Sequence, residues 1–129
     1  MKNKYFPDET IDFEDLYFIC YMIERTARKL KQENSYVVNK IGTENMEHLI
    51  SCASTLHSMN PLQVEADWIE EYQLQTGDFD VTNVDQELCP NIPSPTQMGK
   101  VYKRLILGTL QTGEDYADAM LRVYNNPIC

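Results

Sequence analysis

Between Ile41 and Gly99 the chain has no lysine and no arginine. Formal net charge is −9 at pH 7. That argues against nucleic acid or an anionic membrane surface as the principal partner. No apolar run reaches bilayer-spanning length, and the opening MKNKYFPDE has no segment of signal-peptide type, so a cytoplasmic location is expected. Glycine (5) and proline (6) are scarce, and there is neither an internal repeat nor a low-complexity tract, which leaves an ordinary globular composition. The cysteines Cys20, Cys52, Cys89 and Cys129 have no CxxC or other paired spacing, so neither a disulfide framework nor a zinc ribbon is expected. Walker loop, GxGxxG, GxSxG and HExxH patterns are absent, and no cofactor is implied.

What remains is helical periodicity. A chain of 129 residues is read as one domain with room for a genuine core. The stretch Asp12–Lys31 organises it. Leu16, Ile19, Cys20, Ile23, Ala27 and Leu30 recur as one face of an α-helix, with Asp12 as N-cap. Phe13, Tyr17, Phe18, Tyr21 and Met22 fall between them. This helix must therefore be covered on several sides. Residues 1–11 read as a polar arm.

Ser35 is expected to cap a short helix ended by Gly42, although Val37-Val38 also fits a strand. Thr43 then starts a helix carrying Met46, Leu49, Ile50, Ala53 and Leu56. Asn60-Pro61 starts a fourth, with Leu62, Trp68, Ile69 and Tyr72 inward and Glu65, Asp67, Glu70 and Glu71 solvated, closed by Gly77. Residues 78–93 form an acidic, proline-containing loop. Ser94-Pro95 opens a fifth helix with Met98, Val101, Tyr102, Leu105 and Ile106 on one face and Lys100, Lys103 and Arg104 on the other. A last helix, about Glu114 to Tyr124, buries Tyr116, Ala119, Met120, Val123 and Tyr124. The expectation is an all-α, single-domain bundle of five or six helices around the N-terminal one.

Candidate chemistry is thin. His48 and Cys52 share a helix face, with His57 farther on, but three converging metal ligands are missing, and no Gly-rich oxyanion turn accompanies a Cys–His pair. No metal is expected. His57 suits a helix C-terminus, where its ring can meet free carbonyls. Asp78, Asp80, Thr82, Asp85 and Glu87 alternate like calcium-loop ligands, but Asn83 stands at the glycine position and Cys89 at the twelfth. Glu24, four residues before Arg28, reads as an i, i+4 ion pair.

The acidic middle is the strongest feature. Its carboxylates are Glu44, Glu47, Glu65, Asp67, Glu70, Glu71, Asp78, Asp80, Asp85 and Glu87. One reading is a solvated surface. The other is a docking face for a basic protein, made of Glu65, Asp67, Glu70, Glu71, Asp78, Asp80, Asp85 and Glu87 with Trp68 as anchor, unless Trp68 belongs to the core.

The run Leu16-Tyr17-Phe18-Ile19-Cys20, then Ile23-Glu24, then Ala27-Arg28-Lys29-Leu30, resembles the opening helix "F-x-x-x-x-I-E-x-x-A-x-x-L" of a family of small uncharacterised all-helical bacterial proteins. Leu56-His57 with Val64 and Asp67 resembles its "L-H … V-x-x-D" segment. The likeness covers about residues 14–72. Some members are encoded beside proteins resembling ADP-ribosyltransferases. The resemblance implies a helical binding module restraining a neighbouring enzyme, with Glu24 and His57 as recurrent polar positions. The function expected is a non-enzymatic interaction protein, antitoxin-like or inhibitory, with a basic protein partner. The alternatives are an acidic mimic of nucleic acid, and a small enzyme or metal-binding protein using His48, His57 or Cys52. A homodimer is compatible with each.

Overall fold

Asp12 starts the first helix, α1 (Phe13–Leu30), through a reciprocal capping box. Its carboxylate accepts from the Asp15 N–H, and the Asp15 side chain accepts from the Asp12 N–H. Burial pushes the Asp15 carboxyl above its ordinary range, against the lowering effect of that backbone bond. Leu16, Ile19, Cys20, Ile23, Ala27 and Leu30 are buried, as their spacing requires, and so are Phe18 and Met22. The helix is enclosed by α2 (Asn34–Ser51), α3 (Ala53–His57), α4 (Pro61–Glu71) and α5 (Pro95–Gly108). The last helix, α6 (Tyr116–Tyr124), packs on α2 and α5. The computed structural model describes residues 10–79 and 92–126, and all six helices and no strand lie among them. The chain is an all-α bundle built on α1. Phe13 departs from the pattern, being 60% exposed at the first turn.

Gly42 divides α2 into two helical pieces, with φ 82° and ψ 164°, a conformation open in practice only to glycine. Val37 and Val38 lie in the first piece, fully buried and helical, so the strand alternative falls. The helix expected from Thr43 to His57 is instead interrupted at Cys52, whose φ −110° and ψ 18° separate α2 from α3.

Asn60 caps α4 by accepting from the Leu62 N–H at 2.9 Å, with Pro61 at the first helical position. The helix does not run to Gly77. It ends at Glu71, because Gln73 adopts a left-handed φ of 53° and the Leu74 N–H reaches back to the Ile69 carbonyl at 3.0 Å. The chain after Gln73 then straps the α1–α2 junction. Gly77 and Phe79 donate to the Leu30 and Lys31 carbonyls at 2.7 and 2.9 Å, and Gln75 N–H donates to the Tyr36 hydroxyl at 2.8 Å. The first two bonds satisfy carbonyls that the end of α1 would otherwise leave open.

Ser94 and Gln97 form a second capping box at the start of α5. Arg28 of α1 donates to the Pro93 carbonyl, while Gly99 lies against Tyr17 and Tyr21. Hence α5 runs antiparallel to α1. A Cβ on Gly99 would stand 3.1 Å from the Tyr21 N and Cα, so glycine there lets the two helices touch. Val101 is 41% exposed and does not line the inner face with Tyr102 and Ile106, because it falls outside their arc. Asp115 caps α6 through the Asp118 N–H. Arg122 holds the preceding connection by donating to Glu114 and to the Thr109 carbonyl.

Candidate functional site

The acidic residues of α4 split into two populations. Glu65 is 3% exposed and lies on the same arc as Val64 and Trp68. Arg25 donates from Nε to one of its oxygens, and Lys29 Nζ stands 3.7 Å from the other. Arg25 also donates to the Tyr21 hydroxyl at 2.9 Å, with its guanidinium carbon 5.6 Å from that ring's centre. The hydrogen bond to Glu65 raises the Arg25 pKa further. Glu65 is thus a neutralised link between α1 and α4, not part of a solvated face.

Trp68, 2% exposed, is a core residue and does not anchor a partner. Its indole N–H, like the buried hydroxyl of Thr26, has no hydrogen-bond partner among the described residues. Leu62 makes the opposite departure. Expected inside, it is 58% exposed, because the buried arc of α4 runs through Val64, Glu65 and Trp68.

The second population faces outward. Leu62, Ala66 and Glu70 form one exposed row along α4, and Gln63, Asp67 and Glu71 form the next. Asp67 accepts from Gln63 Nε2 at 2.8 Å. Among the described residues, no ion pair involves Asp67, Glu70 or Glu71. Asp78 is exposed beside Phe79, itself 45% exposed. Asp80, Asp85 and Glu87 lie outside the described residues.

Glu24, 4% exposed, accepts from Arg28 Nε at 2.9 Å and from Asn34 Nδ2 at 2.7 Å. The i, i+4 pair read from the sequence is present, and Asn34 extends it to the first turn of α2. This arrangement ties α1 to α2. His57 ends α3 and stacks on Phe18 with ring centres 4.6 Å apart. Both recurrent polar positions of the family-like pattern therefore have structural contacts.

Burial holds both described cysteines in the protonated form, which weakens them as nucleophiles. Burial raises the Cys52 thiol, the Glu71 carboxylate adds to that, and its Sγ points to the Leu49 carbonyl at 3.6 Å. Cys20 is completely buried, which pushes its thiol up to about 12. Among the described residues no three histidine, cysteine, aspartate or glutamate side chains are grouped to hold a metal ion, and no helix is long and apolar enough to cross a membrane.

Sequence reasoning missed the Arg25–Glu65–Lys29 link, yet its signal was present. Glu65 stands three residues before Trp68, four before Ile69 and seven before Tyr72, which places it on the apolar side of the helix. The class defined by this architecture is a small all-α bundle with a charged outer helix. No family model matches the chain, and neither a curated protein nor a solved structure matches it.

Proposed function

We propose that the chain is a non-enzymatic protein-interaction module that docks the outer face of α4 on a basic protein surface. The observation that supports this is the pairing pattern on one helix. Glu65 is neutralised and buried, whereas Asp67, Glu70 and Glu71 stand exposed without cationic partners among the described residues, and Leu62 is exposed two turns before Glu70 in the same row. Exposed carboxylates of one sign steer a basic partner and fix its orientation. The narrower version is an inhibitory, antitoxin-like role. It rests on the likeness of residues 14–72 to small helical bacterial proteins encoded beside ADP-ribosyltransferase-like proteins. A cytoplasmic setting fits that role.

The test uses the immobilised full chain against extract of its native host at low salt. A specific partner should be retained, released as salt is raised, and lost with Glu70→Lys/Glu71→Lys. Retention indifferent to both salt and charge reversal overturns the reading.

A further inference from the structure

The molecule itself carries a surface of the kind α4 would recognise. On the outer side of α5, Lys100, Val101 and Arg104 are exposed, and Val101 is 41% accessible. Among the described residues, neither Lys100 nor Arg104 forms an ion pair. Two helices of one chain thus display unpaired rows of opposite sign. Resting on the docking role assigned to α4, we infer that the outer row of α5 from a second copy of this chain is an occupant of that face.

The spacing supports the match. Asp67 and Glu71 are one turn apart on α4, and Lys100 and Arg104 are one turn apart on α5, roughly 6 Å in each case. Laid antiparallel, Glu71 meets Lys100 and Asp67 meets Arg104. Two charge pairs then coincide in one register. The antiparallel arrangement also sets the two helix dipoles favourably.

The net charge of −9 opposes self-association over long range. At physiological ionic strength the screening length is about 8 Å. The centres of two bundles of this size stand on the order of 30 Å apart. The repulsion between whole molecules is therefore screened, while pairs in contact are not.

Sedimentation of the full chain over a range of protein concentrations tests this, at physiological and at high salt. The expected result is concentration-dependent association that weakens in high salt. Asp67→Asn/Glu71→Gln and Lys100→Gln/Arg104→Gln should each raise the dissociation constant about tenfold or more. Apart from the Asp67 bond to Gln63, the four side chains form no hydrogen bond or ion pair among the described residues, and circular dichroism of each variant checks that the helices persist. Mixed in equal amounts, the two variants hold one intact face each. They should associate again and stop at a dimer. A wild-type chain that stays monomeric at every concentration overturns the inference, as does association that neither variant weakens or that the mixture fails to restore. If the wild type is monomeric but still retains a basic partner through Glu70 and Glu71, the second copy is excluded and the docking role of α4 stands.

Discussion

Glu65 shows how one carboxylate can change its role with the phase of its helix. Held at 3% exposure between Arg25 and Lys29, it has exchanged hydration for two cations on α1. A buried ion pair offers little net stability over a hydrophobic pair of the same shape, but removing one partner leaves the other uncompensated. Arg25 keeps 27% of its side chain in contact with solvent, so part of that cost is recovered by water. Glu65→Ala should accordingly destabilise the fold by about 2 kcal/mol in denaturant titration, below the full cost of an isolated buried charge. Arg25→Ala made in the Glu65→Ala background should cost clearly less than Arg25→Ala alone. Equal costs in the two backgrounds would show that the pair is not coupled. Glu24 is a parallel case with a different reach, since Asn34 joins it to α2.

At the scale of elements, two glycines do unrelated jobs, and alanine separates them. At Gly42, φ is 82° and nothing lies within 4 Å of an added Cβ. Gly42→Ala should therefore cost about 1–3 kcal/mol from backbone strain alone. At Gly99 the added Cβ meets the Tyr21 backbone at 3.1 Å, so Gly99→Ala should cost about 1–3 kcal/mol by forcing α5 off α1. The distinction is measurable, because only the second variant should expose Tyr17 and Tyr21 further and quicken hydrogen exchange along α5. Thermal unfolding and exchange of the two variants provide the check. Much of this architecture was legible beforehand. The caps at Asp12, Asn60 and Ser94, the break at Gly42 and the inner face of α6 all follow from short-range chemistry that a sequence states directly. The end of α4 did not, because Gln73 supplies the left-handed turn usually left to glycine, and the strap that follows depends on distant carbonyls at Leu30 and Lys31. The candidate site was half legible. Its sign came from the missing lysine and arginine, but which carboxylates face outward depends on where α1 places Arg25 and Lys29.

Over the whole molecule, the ionisable groups sealed in the core set a limit on the alkaline side. Cys20 is pushed up to about 12 by burial, and burial beside Cys20 takes the Tyr124 phenol well above its usual value. Outside the sealed centre, partial burial and the Glu71 charge raise Tyr72 to about 12, and burial lifts Tyr116. In each case the folded state resists losing a proton that the unfolded chain gives up at its ordinary pKa, near 9 for the thiol and 10 for the phenols. Above those values the native state binds more protons than the unfolded state, so stability falls as pH rises, by up to about 1.4 kcal/mol per pH unit for each such group. These groups contribute their full stability below pH 9, and it is lost between pH 9 and 12. The stacked pair Tyr102–Tyr124, with ring centres 4.2 Å apart, joins α5 to α6 beside Cys20 of α1, so ionisation there attacks the centre of the bundle. Melting followed by circular dichroism should show a midpoint that drops steeply above pH 9. Cys20→Ala, although less stable at neutral pH for want of the sulfur's packing, should flatten the first part of that decline, while Tyr124→Phe should flatten the part above pH 10. A midpoint unchanged between pH 8 and pH 11 would mean that these groups are reached by water in the folded chain, and that the core is not sealed where α1, α5 and α6 meet.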